Sequence, residues 1–113
     1  DPQVKRAIVE FHAAGKPLCG LCMGPTVIAQ ALGDAASVEL TVGTTEEPSP
    51  YDIAGIHAGM QSLGARPILK TVRQVAVDRE HKVVTAPCYM MEATIVDVHD
   101  NVQQAVNALV ALL

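Results

Sequence analysis

The sequence predicts an open α/β sheet, at least partly parallel, and three observations carry that prediction. Runs with apolar residues at helical spacing alternate with short β-branched runs along the whole chain. Gly or Pro stands at most of the points where one period gives way to the other. Late in the chain, two β runs flank the polar turn Asp78-Arg79-Glu80-His81, which reads as a β-hairpin. A parallel sheet must be covered on both faces, so helices are expected on each side.

Residues 3–14 place Val4, Ile8 and Phe11 on one helical stripe, with Asp1 as N-cap and Gly15 at the C-terminal end. His12 falls in the last turn, where an exposed imidazole suits the helix dipole. Residues 17–21 are apolar and too short for a helix, so they read as a buried parallel strand. Gly24-Pro25 then starts a second helix that runs to Leu32 and stops at Gly33. Residues 34–37 form a loop. Residues 38–42 are β-branched and alternate, which predicts a strand. Residues 43–50 hold two Thr, two Glu and two Pro and read as a surface loop leaving that strand. Ile53, Ile56, Met60 and Leu63 define a helix over residues 52–63, closed by Gly64, with His57 one position off the stripe and half exposed. A short strand is expected within residues 66–72. The hairpin uses residues 75–77 and 82–85, which makes His81 a turn residue. Residues 86–91 read as an irregular apolar loop. A final helix over residues 92–113 turns Ile95, Val98, Val102, Val106, Leu109 and Leu113 inward, with His99 beside that stripe.

Composition narrows the function classes. The chain has 113 residues, half of them hydrophobic, which is one small domain with a sizeable core. Its net charge of −4, without a Lys/Arg cluster, argues against nucleic acid as a partner. No apolar run approaches the ~18 residues of a membrane span. Three cysteines cannot all pair within one chain, and the odd count fits a reducing, intracellular compartment. Asp1-Pro2-Gln3 runs straight into a helix without an initiating methionine, so the chain reads as a piece of a longer protein.

The stretch most charged with chemistry is residues 16–29. An apolar run reaches Cys22 and turns at Gly24-Pro25 into a helix. Cys22 therefore sits at a strand tip, facing a helix N-terminus whose unpaired N–H groups favour negative charge. Such a thiol is expected to ionise more readily and to act as the nucleophile of an elbow, with sulfur in place of a serine hydroxyl. The plainer reading is a buried small hydrophobe. Cys19-x-x-Cys22 also invites a dithiol reading, but both residues precede the turn, and positions three apart on a strand point to opposite faces. Cys19, Cys22, Cys88 and the four histidines lack the paired spacing of zinc modules, so no metal is expected. No glycine-rich phosphate loop is present, and no cofactor is called for.

Several separated motifs resemble one family in order. Gly15-Lys16-Pro17-Leu18 leading to Cys22-Met23-Gly24-Pro25 is similar to the elbow of the ThiJ/PfpI superfamily, which is related to class I glutamine amidotransferases. Residues 39–43, residues 77–87 and Tyr89-Met90 resemble its ElbB-like branch, whose members are associated with glyoxalase activity or isoprenoid biosynthesis, together with mitochondrial glutamine amidotransferase-like proteins. Residues 42–47, Tyr51 and Ala54-Gly55 look closer to the mitochondrial type. The resemblance implies a flavodoxin-like open parallel sheet with helices on both faces plus the hairpin. It further implies that residues 1–113 are a single partial domain, the C-terminal half of one about twice as long. Its N-terminal half would supply the first strands and an acidic residue contacting the elbow cysteine.

On that basis the expected function is a cofactor-independent, cysteine-dependent glyoxalase acting on a small-molecule substrate such as methylglyoxal. Cys22 would be the catalytic nucleophile, and the N–H groups of Met23 and Gly24 would hold the oxyanion. Ligands bind outside the carboxyl ends of strands in such sheets, so Thr44, Thr45, Tyr89 and Met90 are expected to line the substrate pocket. A redox-sensing or binding protein using the same thiol is the alternative. Glutaminase ranks last, because Met23 stands where the family's histidine follows the nucleophile. The N-terminal half and a second copy in a homodimer are the expected partners, with neither nucleic acid nor membrane. The expected location is cytoplasmic for a bacterial source and mitochondrial for a eukaryotic one. Without its other half the sheet would bare an edge strand and uncovered apolar helix faces.

Overall fold

The computed structural model describes residues 1–113, the side chain of Asp34 excepted. Helix α1 (Pro2–Ala13) is capped by the Asp1 carboxylate, which accepts the Gln3 N–H at 2.8 Å. It ends at Gly15, whose φ of +74° is the left-handed turn expected after a helix C-terminus. Strand β1 (Leu18–Leu21) leads to α2 (Gly24–Leu32), and a 3-10 turn (Gly33–Ala35) to β2 (Glu39–Leu40). Helix α3 (Ile53–Ser62) starts on the Asp52 carboxylate, and β3 (Arg66–Pro67) follows. Strands β4 (Ala76–Asp78) and β5 (Val83–Ala86) make the expected hairpin. A 3-10 turn (Cys88–Met90) precedes α4 (Ile95–Ala111).

The strands form a mixed sheet in the order β1-β5-β4 and a parallel pair β2-β3. β1 runs parallel to β5 with Leu18 opposite Val83 and Leu21 opposite Ala86. Polar side chains join the two sets. The Thr41 N–H donates to the Thr85 hydroxyl at 3.0 Å, and the Glu39 N–H donates to the Asp78 carboxylate at 2.8 Å. Central β5 is buried along its whole length, the signature of a strand covered on both faces. Two apolar clusters provide that cover. One gathers Ile28, Leu32, Leu40, Val42, Ile53, Met60 and Met90; the other gathers Val84, Ala86, Cys88 and Ala105 under α4.

The structure corrects three expectations and bears out a fourth. The strand expected over residues 38–42 is paired only at Glu39–Leu40, although Val38, Thr41 and Val42 remain buried. The apolar stripe of α1 stays uncovered, as expected: the helix contains no buried residue, and Val4 and Phe11 are about half exposed, at 47% and 48%. The last helix begins at Ile95 because Thr94 and Asp97 form a capping box. Its inner face runs through Val98, Val102, Ala105 and Leu109, and leaves Ile95, Val106 and Leu113 at the surface. Finally, His57 is buried rather than half exposed.

Candidate functional site

Cys22 is the first of the two residues between β1 and α2, and its φ is +59°. A left-handed conformation at a residue with a Cβ costs roughly 1–2 kcal/mol and persists only where the surroundings hold it. Here two constraints hold it. The Cys22 N–H donates to the Ala86 C=O at 3.0 Å, tying the tip of β1 to the end of β5. Gly20 lets α2 close down on the strand: a Cβ there would lie 2.9 Å from Ile28 Cδ1 and 3.0 Å from the Pro25 nitrogen. The chain thus reads Gly20-Leu21-Cys22-Met23-Gly24, the small-x-nucleophile-x-small pattern of a strained strand-to-helix elbow. Cys22 is half-buried and packs against both apolar clusters, because the left-handed turn breaks the alternation of β1 at that point.

Met23 and Gly24 lead into α2. The Thr26 N–H donates to the Met23 C=O at 3.1 Å, and the Thr26 hydroxyl donates to the same oxygen at 2.6 Å. The amides of Met23 and Gly24 come before that first turn is closed, so helix geometry leaves them without an intrahelical acceptor.

The loops expected to line the pocket pack on one another. The Ser49 hydroxyl donates to the Met90 C=O, and the Glu92 N–H donates to the Pro48 C=O at 3.2 Å. Thr44 is buried, and its hydroxyl accepts the Glu46 N–H at 3.1 Å. Thr44 and Thr45 line a hollow of about 240 Å³ with Glu47, Ser49 and Tyr51, and Cys22 does not border it. Met90 is fully buried in the cluster against which Cys22 packs, whereas Tyr89 is 52% exposed. A larger cavity of about 590 Å³ lies between α1 and α2, lined by Val4, Lys5, Val27 and Gln30.

Asn101, and the place of Cys88 beside Cys22, escaped the reading of the sequence. Cys88 is buried and also left-handed, with φ +50°. Its N–H donates to the Asn101 carboxamide oxygen at 2.9 Å, and the Asn101 amide donates to the Gln74 C=O at 2.9 Å. Asn101 is fully buried on α4 and pins the turn after β5 to the helix beneath it. A polar residue interrupting the apolar face of a helix was the available signal. Burial pushes the Cys88 thiol up, and neighbouring charge on Cys22 or Cys19 would push it further; the Cys22 N–H, within reach of the Cys88 sulfur, works the other way. Burial likewise raises the Cys19 thiol.

The four histidines lie elsewhere, and none is a hydrogen-bond partner of Cys22 among the described residues; the Nδ1 of His12 is buried without a hydrogen-bond partner. His57 uses Nε2 to accept the Val42 N–H at 3.5 Å, and burial lowers its pKa, favouring the neutral ring. His99 is exposed beside Asp100. His12 and His81 face each other, ring centres 6.0 Å apart, at the opposite end of the β1–β5 pair. Among the described residues no group of three His, Cys, Asp or Glu is disposed to hold a metal ion, and no helix is long and apolar enough to cross a membrane.

No protein-family model matches the sequence. Individual proteins do. The chain is 36% identical over 113 residues to the human "Glutamine amidotransferase-like class 1 domain-containing protein 3, mitochondrial", covering 99% of this chain and 41% of that protein. It is 34% identical to the rat "ES1 protein homolog, mitochondrial", with the same coverage. The chain thus spans 41% of the length of these curated relatives. Its fold matches the crystal structure of an isoprenoid biosynthesis protein with an amidotransferase-like domain from Ehrlichia chaffeensis. The TM-score is 0.84 at 23% identity, covering 98% of this chain and 47% of that one.

Proposed function

The chain belongs to the class I glutamine amidotransferase-like group of the ThiJ/PfpI superfamily, and from that premise we propose that it carries the nucleophile of a cysteine-dependent glyoxalase. The observation that supports this reading is the left-handed Cys22 at the β1–α2 elbow. The Cys22 thiolate adds to the aldehyde carbon of a small 2-oxoaldehyde such as methylglyoxal, forming a hemithioacetal. The N–H groups of Met23 and Gly24 stabilise the oxyanion. A proton then passes from the former aldehyde carbon to the neighbouring carbonyl carbon through an enediol. This converts the hemithioacetal into a thioester of the 2-hydroxy acid. Water releases the acid and regenerates the thiol, so the overall change is addition of one water and no external oxidant is consumed.

Glutamine hydrolysis fits less well. Acyl transfer from an amide needs a base beside the nucleophile and an acid for the leaving amine. Met23 follows Cys22, His57 accepts from Val42, His99 lies against Asp100, and His12 and His81 stand at the far end of the sheet. The test is carried out on the full-length protein. Hydroxy-acid formation from methylglyoxal should disappear in Cys22→Ser and persist in Cys19→Ser. Ammonia released from glutamine, with methylglyoxal untouched, would replace this reading by an amidotransferase. Peroxide-selective oxidation of Cys22 in a protein that consumes no aldehyde would replace it by a redox sensor.

The same reading includes a second half of the domain that covers the surfaces left bare here, a homodimeric whole, and a mitochondrial location in a eukaryotic source. Two features support the missing cover: β1 has a free edge, and Val4, Phe11, Ile95 and Val106 are exposed. Residues 1–113 expressed alone should give no cooperative transition when circular dichroism is followed on heating. A sharp two-state melt from a soluble monomer would show that these residues form a complete domain.

A further inference from the structure

Cys88 has no part in the aldehyde chemistry, yet it packs in the same cluster as the elbow cysteine, with Ala86 and Ala105. The register explains why. Leu21 stands opposite Ala86 in a parallel pair, so both strands leave the sheet at the same carboxyl end, Cys22 one residue beyond and Cys88 two. The Cys22 N–H comes within reach of the Cys88 sulfur, which sets the two side chains next to each other, as a disulfide requires. Both backbones turn left-handed at the cysteine, at φ +59° and +50°, so neither continues along its strand. The Cys88 turn is then held by Asn101.

We propose that Cys22 and Cys88 form a reversible intramolecular disulfide when a hydroperoxide oxidises the elbow thiol. Accessibility sets the order of events. Cys22 is half-buried and open to a small oxidant, whereas Cys88 is 4% exposed and reacts only from within. The Cys22 sulfur attacks the outer peroxide oxygen, the O–O bond breaks, and an alcohol leaves with Cys22 as its sulfenic acid. The Cys88 sulfur then attacks the Cys22 sulfur, the S–O bond breaks, and water leaves with the Cys88 proton. The two thiols lose two electrons, and the hydroperoxide takes them up as alcohol and water. The bond blocks the nucleophile and protects it from irreversible oxidation. This holds whether or not the protein turns over aldehydes, so failure of the glyoxalase reading leaves it standing.

Cys19 is the competitor, since it packs against the same cluster from within β1. The test treats the reduced full-length protein with a small excess of tert-butyl hydroperoxide, enough for a sulfinic acid to form, alkylates free thiols, digests without reductant and maps peptides by mass spectrometry. A Cys22–Cys88 cross-linked peptide that dithiothreitol removes is the expected result. Cys88→Gly, which the left-handed backbone accommodates, should lose that peptide and let Cys22 proceed to the sulfinic acid. Direct sulfinic acid formation at Cys22 in the unmodified protein, with Cys88 still alkylated, overturns the proposal. So does a Cys19–Cys88 link or a link between two chains.

Discussion

The two ends of the β1–β5 pair treat their reactive side chains in opposite ways. At the carboxyl end, Cys22 and Cys88 both sit in left-handed backbone, and no histidine is hydrogen-bonded to the Cys22 thiol. At the amino end, Asp78 accepts from the Glu39 N–H, the His81 N–H and the His81 ring, and Arg66 lies 3.9 Å away. The third left-handed residue with a side chain, Lys82, belongs to this end, where the β4–β5 turn asks for it. On the reading proposed above, the strained and unsaturated end is the one available for reaction, and the saturated carboxylate is the one that holds structure. Both ends are rich in titratable residues, so composition alone does not separate them.

The largest effect expected from breaking this contrast is at the elbow. Cys22→Ser should lower aldehyde turnover by roughly 10³-fold or more, the scale at which nucleophile losses are felt. Cys22→Gly should remove turnover equally and yet leave stability unchanged or about 1 kcal/mol higher, because glycine relieves the left-handed strain. Chemical denaturation beside a turnover assay reads both. A Cys22→Gly protein that is clearly destabilised would mean that the side chain is there for packing.

Next comes the support of the second left-handed turn. Asn101→Ala strands the Cys88 N–H in the interior, where a buried orphan costs about 1–3 kcal/mol, while the part-buried Gln74 C=O can turn to water. A loss of roughly 1–3 kcal/mol in denaturant is expected. Gly20→Ala should follow at about 1–3 kcal/mol, the usual scale of overpacking. Two of the three atoms its Cβ would meet are backbone, in Pro25 and Gly24, so the elbow itself must move. Turnover should fall with stability in Gly20→Ala, whereas Asn101→Ala should change peroxide cross-linking more than turnover.

How much of this the sequence disclosed depends on whether the determinant is local. The elbow was legible because strand, cysteine, Gly24 and Pro25 are consecutive, and so were the Asp1 cap and the hairpin. The fold class was legible from alternation. Cys88 was not legible as the neighbour of Cys22, because their proximity is a matter of β1–β5 register across more than sixty residues. The inward face of α4 was misjudged for a related reason. Ile95 and Leu113 fit the apolar period, but Asn101 and Ala105 are what the sheet accepts, and only tertiary bonds satisfy Asn101. The exposed stripe of α1 shows that amphipathicity announces a covering partner without supplying one.

The smallest effect concerns the saturated end and sharpens the comparison through pH. Burial pushes the Asp78 carboxyl up, but hydrogen bonds from the Glu39 and His81 N–H groups and from the His81 ring, with the charge of His81, outweigh it and hold the pKa below the usual carboxylate range. The unfolded chain, with an ordinary carboxyl near 3.9, therefore takes up a proton before the folded one does. The resulting stabilisation is fully present above that value and is lost as pH falls through the lower, folded pKa. Asp78→Asn should lower the melting temperature at neutral pH, since an amide NH₂ would confront N–H donors, and should flatten the acid limb of the stability curve below about pH 4. The same titration of Cys22→Ser should retain the acid limb of the unmodified protein. An acid limb that is unchanged in Asp78→Asn would move the pH-sensitive carboxylate elsewhere, to Asp97 in its exposed capping box as the next candidate.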